Sequence, residues 1–222
     1  VGSEMCIRDR PISLSVMIHH SLQALPYQSM EDTRQGTGTD LPPLWDSNRL
    51  FKHNFKPWNP TGDIIVICGQ HDASEQWRGL PKMEQWIEQQ INEIRKYTTR
   101  PILVRPHPRN NIGFPKDKFS NVKVRQPKRD FSTYDDTDFK ATLERTWAVV
   151  NHSSNPAMEA VINGIPVFVS EDSLCHDVGN ISLSDINTPA MPARQKWANQ
   201  LAYTEWFEDE IRQGIPWKRI KH

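Results

Sequence analysis

Apolar runs and helical repeats alternate along the chain from residue 63 onwards. The run DIIVIC, residues 63–68, is continuous and β-branched, which is typical of strands buried on both faces of a sheet. Residues 80–97 then place apolar side chains at helical spacing. The same pattern predicts four more strands and two more helices: the strands ILVR, NVKV, WAVVN and PVFVS, and the helices DTDFKATLERT and NPAMEAVING.

Strands that alternate with helices on short connections form a parallel sheet with a helical layer on each face. The sequence therefore predicts an α/β fold with a Rossmann-like parallel sheet. After PVFVS comes an irregular loop, and a last helical region is predicted from about residue 192 to residue 213.

The N-terminal part of the chain lacks this regular pattern. Prolines at 42, 43, 57 and 60 exclude a long helix or a central strand within residues 11–62. We interpret that stretch as an irregular extension or the remnant of a missing domain, with Trp45, Phe51, Phe55 and Trp58 packed on the main domain, residues 63–222. The first ten residues, VGSEMCIRDR, resemble a translated sequencing-adapter read, so we expect them to be non-native and the natural N-terminus to be missing.

Composition excludes several classes of function. The chain has 27 basic and 27 acidic residues among 222, so its net charge favours neither nucleic acid nor membrane as a partner. Its three cysteines are widely separated and lack metal-ligand spacing, so we expect free thiols in a cytoplasmic protein and no metal site. No apolar run approaches the roughly 20 residues that span a bilayer.

Three polar turns are predicted at one edge of the sheet, where strands end and ligands bind in open α/β folds. They are CGQHDASEQW, RPHPRN and NHSSNP. In the first turn, Gly69 would permit close approach of the backbone to a ligand, although the stretch is neither a P-loop nor a GxGxxG motif.

The turn NHSSNP leads directly into a helix, whose first N–H groups favour an anion. Ser153 and Ser154 would add hydroxyl donors to such a site. The alternative is that these residues merely cap the helix and turn the chain. Glu159, one turn further on, is explained either by the helix dipole or by hydrogen bonds to the two hydroxyls of a ribose.

His107 lies between two prolines, which restrict the backbone on both sides of it. An imidazole presented in this way, with Arg105 and Arg109 beside it, suits a phosphate or a developing charge. The alternative is a solvated loop that carries ordinary surface charge.

Taken together, RPHP and HSSNPAMEAVINGIPVFVS resemble the donor-binding half of GT-B glycosyltransferases. The nearest groups are capsule-polysaccharide, Kdo-transferase and CDP-glycerol-transferase-like proteins, and the resemblance covers residues 63–170. It implies that His107, Ser153 and Ser154 bind the phosphates of the donor and that Glu159 binds the ribose. Gly164 and Pro166 would shape the bend into the next strand.

The resemblance implies a metal-independent glycosyltransferase that needs no cofactor. It would move a sugar, or a related phosphoalcohol, from a nucleotide donor to a glycan or surface polysaccharide. The catalytic base stays unassigned, because a GT-B enzyme usually supplies it from a second domain that residues 11–62 are too few to build. The alternatives are a sugar-nucleotide 2-epimerase, a non-catalytic nucleotide- or glycan-binding module, and a structural domain whose turns bind nothing.

Overall fold

The computed structural model describes most of the chain from residue 55 onwards, together with Ile12 and Ser13. The described residues are 12–13, 55–59, 61–110, 112–115, 118–127, 129–130, 133–134, 136–201, 205–206, 208–215 and 217. They belong to two compact units, one of residues 54–194 and one of residues 1–53 with 195–222. The predicted packing of Trp45 and Phe51 lies outside the described residues.

Five parallel strands form the sheet of the larger unit, as the alternation of apolar runs predicts. The strands are β2 (Ile64–Cys68), β3 (Ile102–Arg105), β4 (Val122–Val124), β7 (Thr146–Asn151) and β8 (Val167–Phe168). Their order across the sheet is β4-β3-β2-β7-β8. The first strand along the chain is central, the next two lie on one side of it and the last two on the other, so the chain reverses direction across the sheet between β2 and β7.

The described residues of the same unit contain three helices, each shorter than the stretch whose pattern predicts it. They are α1 (Met83–Arg95), α2 (Asp136–Leu143) and α3 (Pro156–Ile162). There are also short 3-10 helices, one before α1 at Glu75–Trp77 and two after α3 at His176–Val178 and Leu183–Asp185. The predicted helix 136–146 ends early because Thr146 already pairs with β2. A hairpin of β5 (Arg129–Asp130) and β6 (Thr133–Tyr134), which the sequence pattern did not indicate, precedes α2.

The main core lies between α1 and one face of the sheet. Alternate strand residues such as Ile65, Ile67 and Val150 meet Ile87 and Ile91 of α1, and all five are essentially inaccessible to solvent. The start of α1 is capped from a distance: the carboxylate of Asp72 accepts the N–H of Met83 at 2.7 Å. The loop after β2 is thereby tied to the first turn of α1.

The end of α3 explains the glycine that follows it. Gly164 has φ +80°, and the N–H groups of Gly164 and Ile165 bond to the carbonyls of Val161 and Ala160. This is a Schellman motif, in which glycine is favoured because it has no Cβ. Residues 55–59 lie against this turn, with the carbonyl of Gly164 accepting the N–H of Asn59 at 2.7 Å.

Among the residues of the smaller unit that the structure describes are two helices and one strand pair. They are α4 (Gln195–Leu201), α5 (Glu208–Arg212), and β1 (Ile12–Ser13) paired antiparallel with β9 (Glu205–Trp206). The helical region predicted from about residue 192 to residue 213 contains these two short helices, and β9 separates them. Within the part of the chain that the structure describes, no helix is long and apolar enough to span a membrane.

Candidate functional site

The reversal of strand order between β2 and β7 creates a crevice at the carboxyl ends of these strands. Ligands of open α/β sheets bind at such a switch point, because the loops that follow the two strands turn away in opposite directions. Here the loops are the turn after Cys68 and the turn after Asn151, whose last paired residues face each other in the sheet. The turn after Arg105 follows β3, which lies on the other side of β2 from β7.

Gln70 connects the turn after β2 to the turn after β7. Its amide lies within hydrogen-bonding distance of the Ser153 hydroxyl, with Nε2 at 3.2 Å and Oε1 at 3.3 Å from Oγ. Its own backbone carbonyl accepts the side-chain amide of Asn110 at 3.0 Å. Gln70 is only 4% exposed, and its contact with Ser153 is partly buried. The three predicted turns are thus joined by direct side-chain contacts.

Asn151 fixes the shape of the turn that carries the two serines. Its side-chain oxygen accepts the backbone N–H of Ser154 at 2.8 Å, and its Nδ2 donates to the Ser154 hydroxyl at 2.7 Å. The same amide reaches the carbonyl of Cys68 at 3.3 Å. Because Ser154 Oγ accepts a bond from Asn151, its own hydrogen can be donated to a ligand.

The turns after β2 and β3 bring two histidines together. The rings of His71 and His107 lie edge to face with centroids 5.2 Å apart. In each, Nδ1 accepts a backbone N–H two residues ahead, from Ala73 at 3.2 Å and from Arg109 at 3.1 Å. An Nδ1 that accepts is unprotonated, so the neutral ring carries its hydrogen on Nε2.

Burial keeps the His107 ring neutral. Loss of solvent, followed by the positive potential of His71 and Arg109, lowers the pKa of His107 to about 4. At neutral pH His107 is therefore a hydrogen-bond donor without charge. His71, with the same kind of Nδ1 contact, gives the edge a second imidazole.

Arg105 and Gly69 lie at the ends of neighbouring strands, where the carbonyl of Arg105 accepts the N–H of Gly69 at 2.8 Å. The guanidinium of Arg105 is buried in an ion pair with Asp138 of α2 and lies over the Phe139 ring. Gly69 has an ordinary φ, and a Cβ there would meet Ile87 and Pro106 at 3.4 Å, which is normal contact. The ion pair explains Arg105, whereas neither the φ of Gly69 nor its surroundings require a glycine. The predicted part of both residues in phosphate binding stays a prediction.

Glu159 also has partners within the fold. Its carboxylate accepts the side-chain amide of Asn163 at 3.1 Å and lies 3.9 Å from the ammonium of Lys140. Asn163 lies one turn beyond Glu159 at the end of α3, so this contact is directed away from the start of the helix. The predicted contact with a ribose stays a prediction, and a ligand would have to compete with Asn163.

The residue that sequence reasoning missed is His152. Its Nδ1 lies 3.1 Å from the Ser153 hydroxyl, and its ring packs edge to face on Trp77 and Trp86, with centroid distances of 5.0 and 6.4 Å. Burial lowers the pKa of His152, and the carboxylate of Asp172 opposes that effect. The available signal was its position directly between a buried strand and the serine pair.

The edge as a whole offers hydroxyls, amides and neutral imidazoles. Within the described ranges, no group of three or more His, Cys, Asp or Glu side chains is placed to hold a metal ion. Cys68 and Cys175 are buried thiols, and burial raises the pKa of Cys68 to about 12. The arrangement therefore suits an anion bound through neutral hydrogen-bond donors.

No protein-family model matches the chain, and no curated protein sequence matches it either. Among solved structures the chain is similar to KpsC of Thermosulfurimonas dismutans, described as a β-Kdo 2,4 transferase. The identity is 14%, the match covers 73% of this chain and 56% of that one, and the TM-score is 0.39. The chain thus spans little more than half of that structure, and a likeness so distant supports no statement about the reaction.

The low pKa of His107 makes stability depend on pH in a defined direction. Between about pH 6.5 and pH 4 the unfolded chain binds a proton that the folded chain does not, so the free energy of unfolding falls as the pH falls. Because the side chain is partly exposed, we expect its contribution to be about 1 kcal/mol rather than the full value of the shift.

Urea denaturation of the parent chain and of His107→Gln at pH 7 and pH 4.5 measures this contribution. The parent is expected to lose about 1 kcal/mol more than the variant, because glutamine does not titrate. Equal losses in the two proteins would contradict a buried, neutral His107.

Proposed function

We propose that the switch-point edge binds the phosphate groups of a nucleotide-activated sugar, or of a related phosphoalcohol donor. In this proposal the chain is the donor-binding part of a GT-B type glycosyltransferase with a glycan or polysaccharide acceptor. The observation that supports it most strongly is the contact of Gln70 with Ser153, because it joins the two loops that flank the crevice. A cytoplasmic location and a reaction without a metal belong to the same proposal.

The chemistry of the edge supports a phosphate as the ligand. A diphosphate needs several donors on one side, and Ser153, Ser154 and the Nε2–H groups of two histidines are donors that do not have to lose a proton. His107 is neutral at physiological pH, so its pKa rises when a phosphate binds beside it. Binding should therefore take up protons as the pH falls below neutral.

Ribose recognition by Glu159 forms a separable part of the proposal. The carboxylate of Glu159 is partly exposed and contacts Asn163 and Lys140. The hydroxyl groups of a ribose can displace the side-chain amide of Asn163 only if they form stronger hydrogen bonds with this carboxylate. Replacing Glu159 with glutamine removes the charge and keeps the shape. Loss of nucleotide affinity in that variant would support the ribose contact.

Titration calorimetry with UDP, CDP, GDP and CMP tests the proposal. One of these nucleotides is expected to bind, and Ser154→Ala is expected to weaken it about tenfold, the effect of losing one hydrogen bond to a charged group. The bound nucleotide should also raise the apparent stability of the chain in a thermal scan.

Ser184→Ala is the matched control, because Ser184 is an exposed serine on a 3-10 helix whose hydroxyl contacts Ser182 and Asp185. It should leave affinity unchanged. If none of the four nucleotides binds to a chain shown to be folded, the donor-site proposal is wrong for this chain. Binding without transfer to any glycan would favour the non-catalytic module.

A further inference from the structure

A cleft of about 320 Å³ opens beside the turn that carries the serines. One wall is α1, the floor is the end of β7 and β8, and the opposite wall is the segment that follows β8. The residues that shape it are Trp86, Gln90, His152, Phe168, Glu171 and Ile181. Its volume is sufficient for a single sugar ring.

His152 connects this cleft to the proposed phosphate site. Its ring lines the cleft, while its Nδ1 contacts the Ser153 hydroxyl at 3.1 Å. A group attached to a phosphate held by the serines would therefore lie within reach of the cleft. The sugar of an activated donor is attached in this way.

The aromatic wall of the cleft is held in place by its neighbours. Trp86 packs edge to face on Trp77 at 5.7 Å, and Trp77 in turn packs on His152 and donates its indole N–H to the carbonyl of Pro81. Trp86 remains partly exposed on the side of the cleft. A fixed tryptophan beside polar groups suits the apolar face of a pyranose, whose hydroxyls then reach the polar groups.

The lining of the cleft carries a single carboxylate. Among the described residues that line it, Glu171 is the only Asp or Glu, and neither lysine nor arginine is present. Gln90 and Ser170 add neutral polar groups. A carboxylate accepts hydrogen bonds from sugar hydroxyls but repels a second carboxylate. Because Glu171 is exposed to solvent, this repulsion is modest and is weakened by salt.

We infer that this cleft binds the sugar ring of the donor and selects a neutral pyranose over a sugar acid, with Glu171 as the residue that determines the selection. The inference rests on the proposed function for the identity of the attached phosphate. Its consequence is that ulosonic and uronic acids are poor ligands of this cleft, whatever nucleotide carries them.

Free methyl glycosides test the cleft without any nucleotide. The probes are the β-methyl glycosides of glucose, galactose and mannose and the matching uronates, titrated to about 100 mM into ¹⁵N-labelled chain while the Trp86 indole N–H signal is followed. The Trp86→Phe variant identifies that signal. At least one neutral glycoside should shift it, and the matching uronate should bind about fivefold more weakly at low salt.

Glu171→Gln should remove the difference between each neutral glycoside and its uronate. Glu88→Gln is the matched control, because Glu88 lies on α1 but pairs with Lys118 at 2.8 Å, and it should preserve the difference. No shift with any of the neutral glycosides would overturn the cleft as a sugar site. Equal binding of neutral and acidic sugars to the parent chain would overturn the role of Glu171.

The outcome is independent of the nucleotide experiment. Sugar binding without nucleotide binding would support the cleft as a sugar site and contradict the proposed phosphate site. Nucleotide binding without any effect of sugars on Trp86 would support the phosphate site and contradict the sugar site.

Discussion

Replacing Gly164 with alanine is expected to lower the free energy of unfolding by about 3 kcal/mol or more. Two effects add. The residue has φ +80°, where a side chain costs about 1 kcal/mol or more, and an added Cβ would lie 2.0 Å from the carbonyl oxygen of Pro57. The second effect is larger because the atoms of Pro57 that the Cβ would meet belong to the backbone, and the residues around Pro57 are held to α3 and the turn after it by the backbone N–H groups of Lys56 and Asn59.

Two other glycines separate these effects in the same urea denaturation experiment. Gly79 has φ +82° with no atom near its missing Cβ, so alanine there should cost about 1 kcal/mol. Gly113 has neither the unusual φ nor a close neighbour, so alanine should be nearly neutral. If Gly164→Ala lowered the free energy of unfolding no more than Gly79→Ala does, residues 55–59 would not lie tightly against α3.

The fold could be predicted from the sequence because its signals are local. β-branched runs mark β2, β3 and β7, and Pro156 and Gly164 mark the two ends of α3. Elements set by distant partners could not be predicted. β9 and β1 are two residues long and exist through pairing with each other, and no periodicity is visible over so short a length.

The site could be predicted in part. The rule that parallel strands end at one edge indicated which turns would meet, and Gln70 does contact Ser153. Side-chain direction could not be predicted: Arg105 is the last residue of β3, and the face of the sheet on which it lies depends on the packing of α2. His152 was overlooked because its two tryptophan neighbours come from elsewhere in the chain.

Replacing Asp138 with asparagine is expected to lower the free energy of unfolding by about 3 kcal/mol. The carboxylate forms an ion pair with Arg105, and these two side chains are 12% and 8% exposed. Removing the carboxylate charge leaves the guanidinium buried without a counter-charge. Arg125, the other partner of Asp138 at 3.3 Å, is about half exposed and can turn into water.

The exposed pair of Asp63 and Arg145 is the matched control for Asp138→Asn. Its atoms are 2.7 Å apart, but the side chains are 56% and 70% exposed, so Asp63→Asn should leave the free energy of unfolding nearly unchanged. The double change Arg105→Leu with Asp138→Leu should recover most of the loss, since apolar side chains can replace a buried pair.

The same variants decide between two roles for Arg105. If the ion pair with Asp138 is its whole role, the doubly changed chain should bind nucleotide as the parent does, because the serines and His107 are untouched. If Arg105 binds phosphate, as its place beside His107 in the sequence predicts, the doubly changed chain should be stable yet bind nucleotide about tenfold more weakly. Buried ion pairs and phosphate sites select arginine for the same planar set of donors, so stability and binding have to be measured on one protein to separate them.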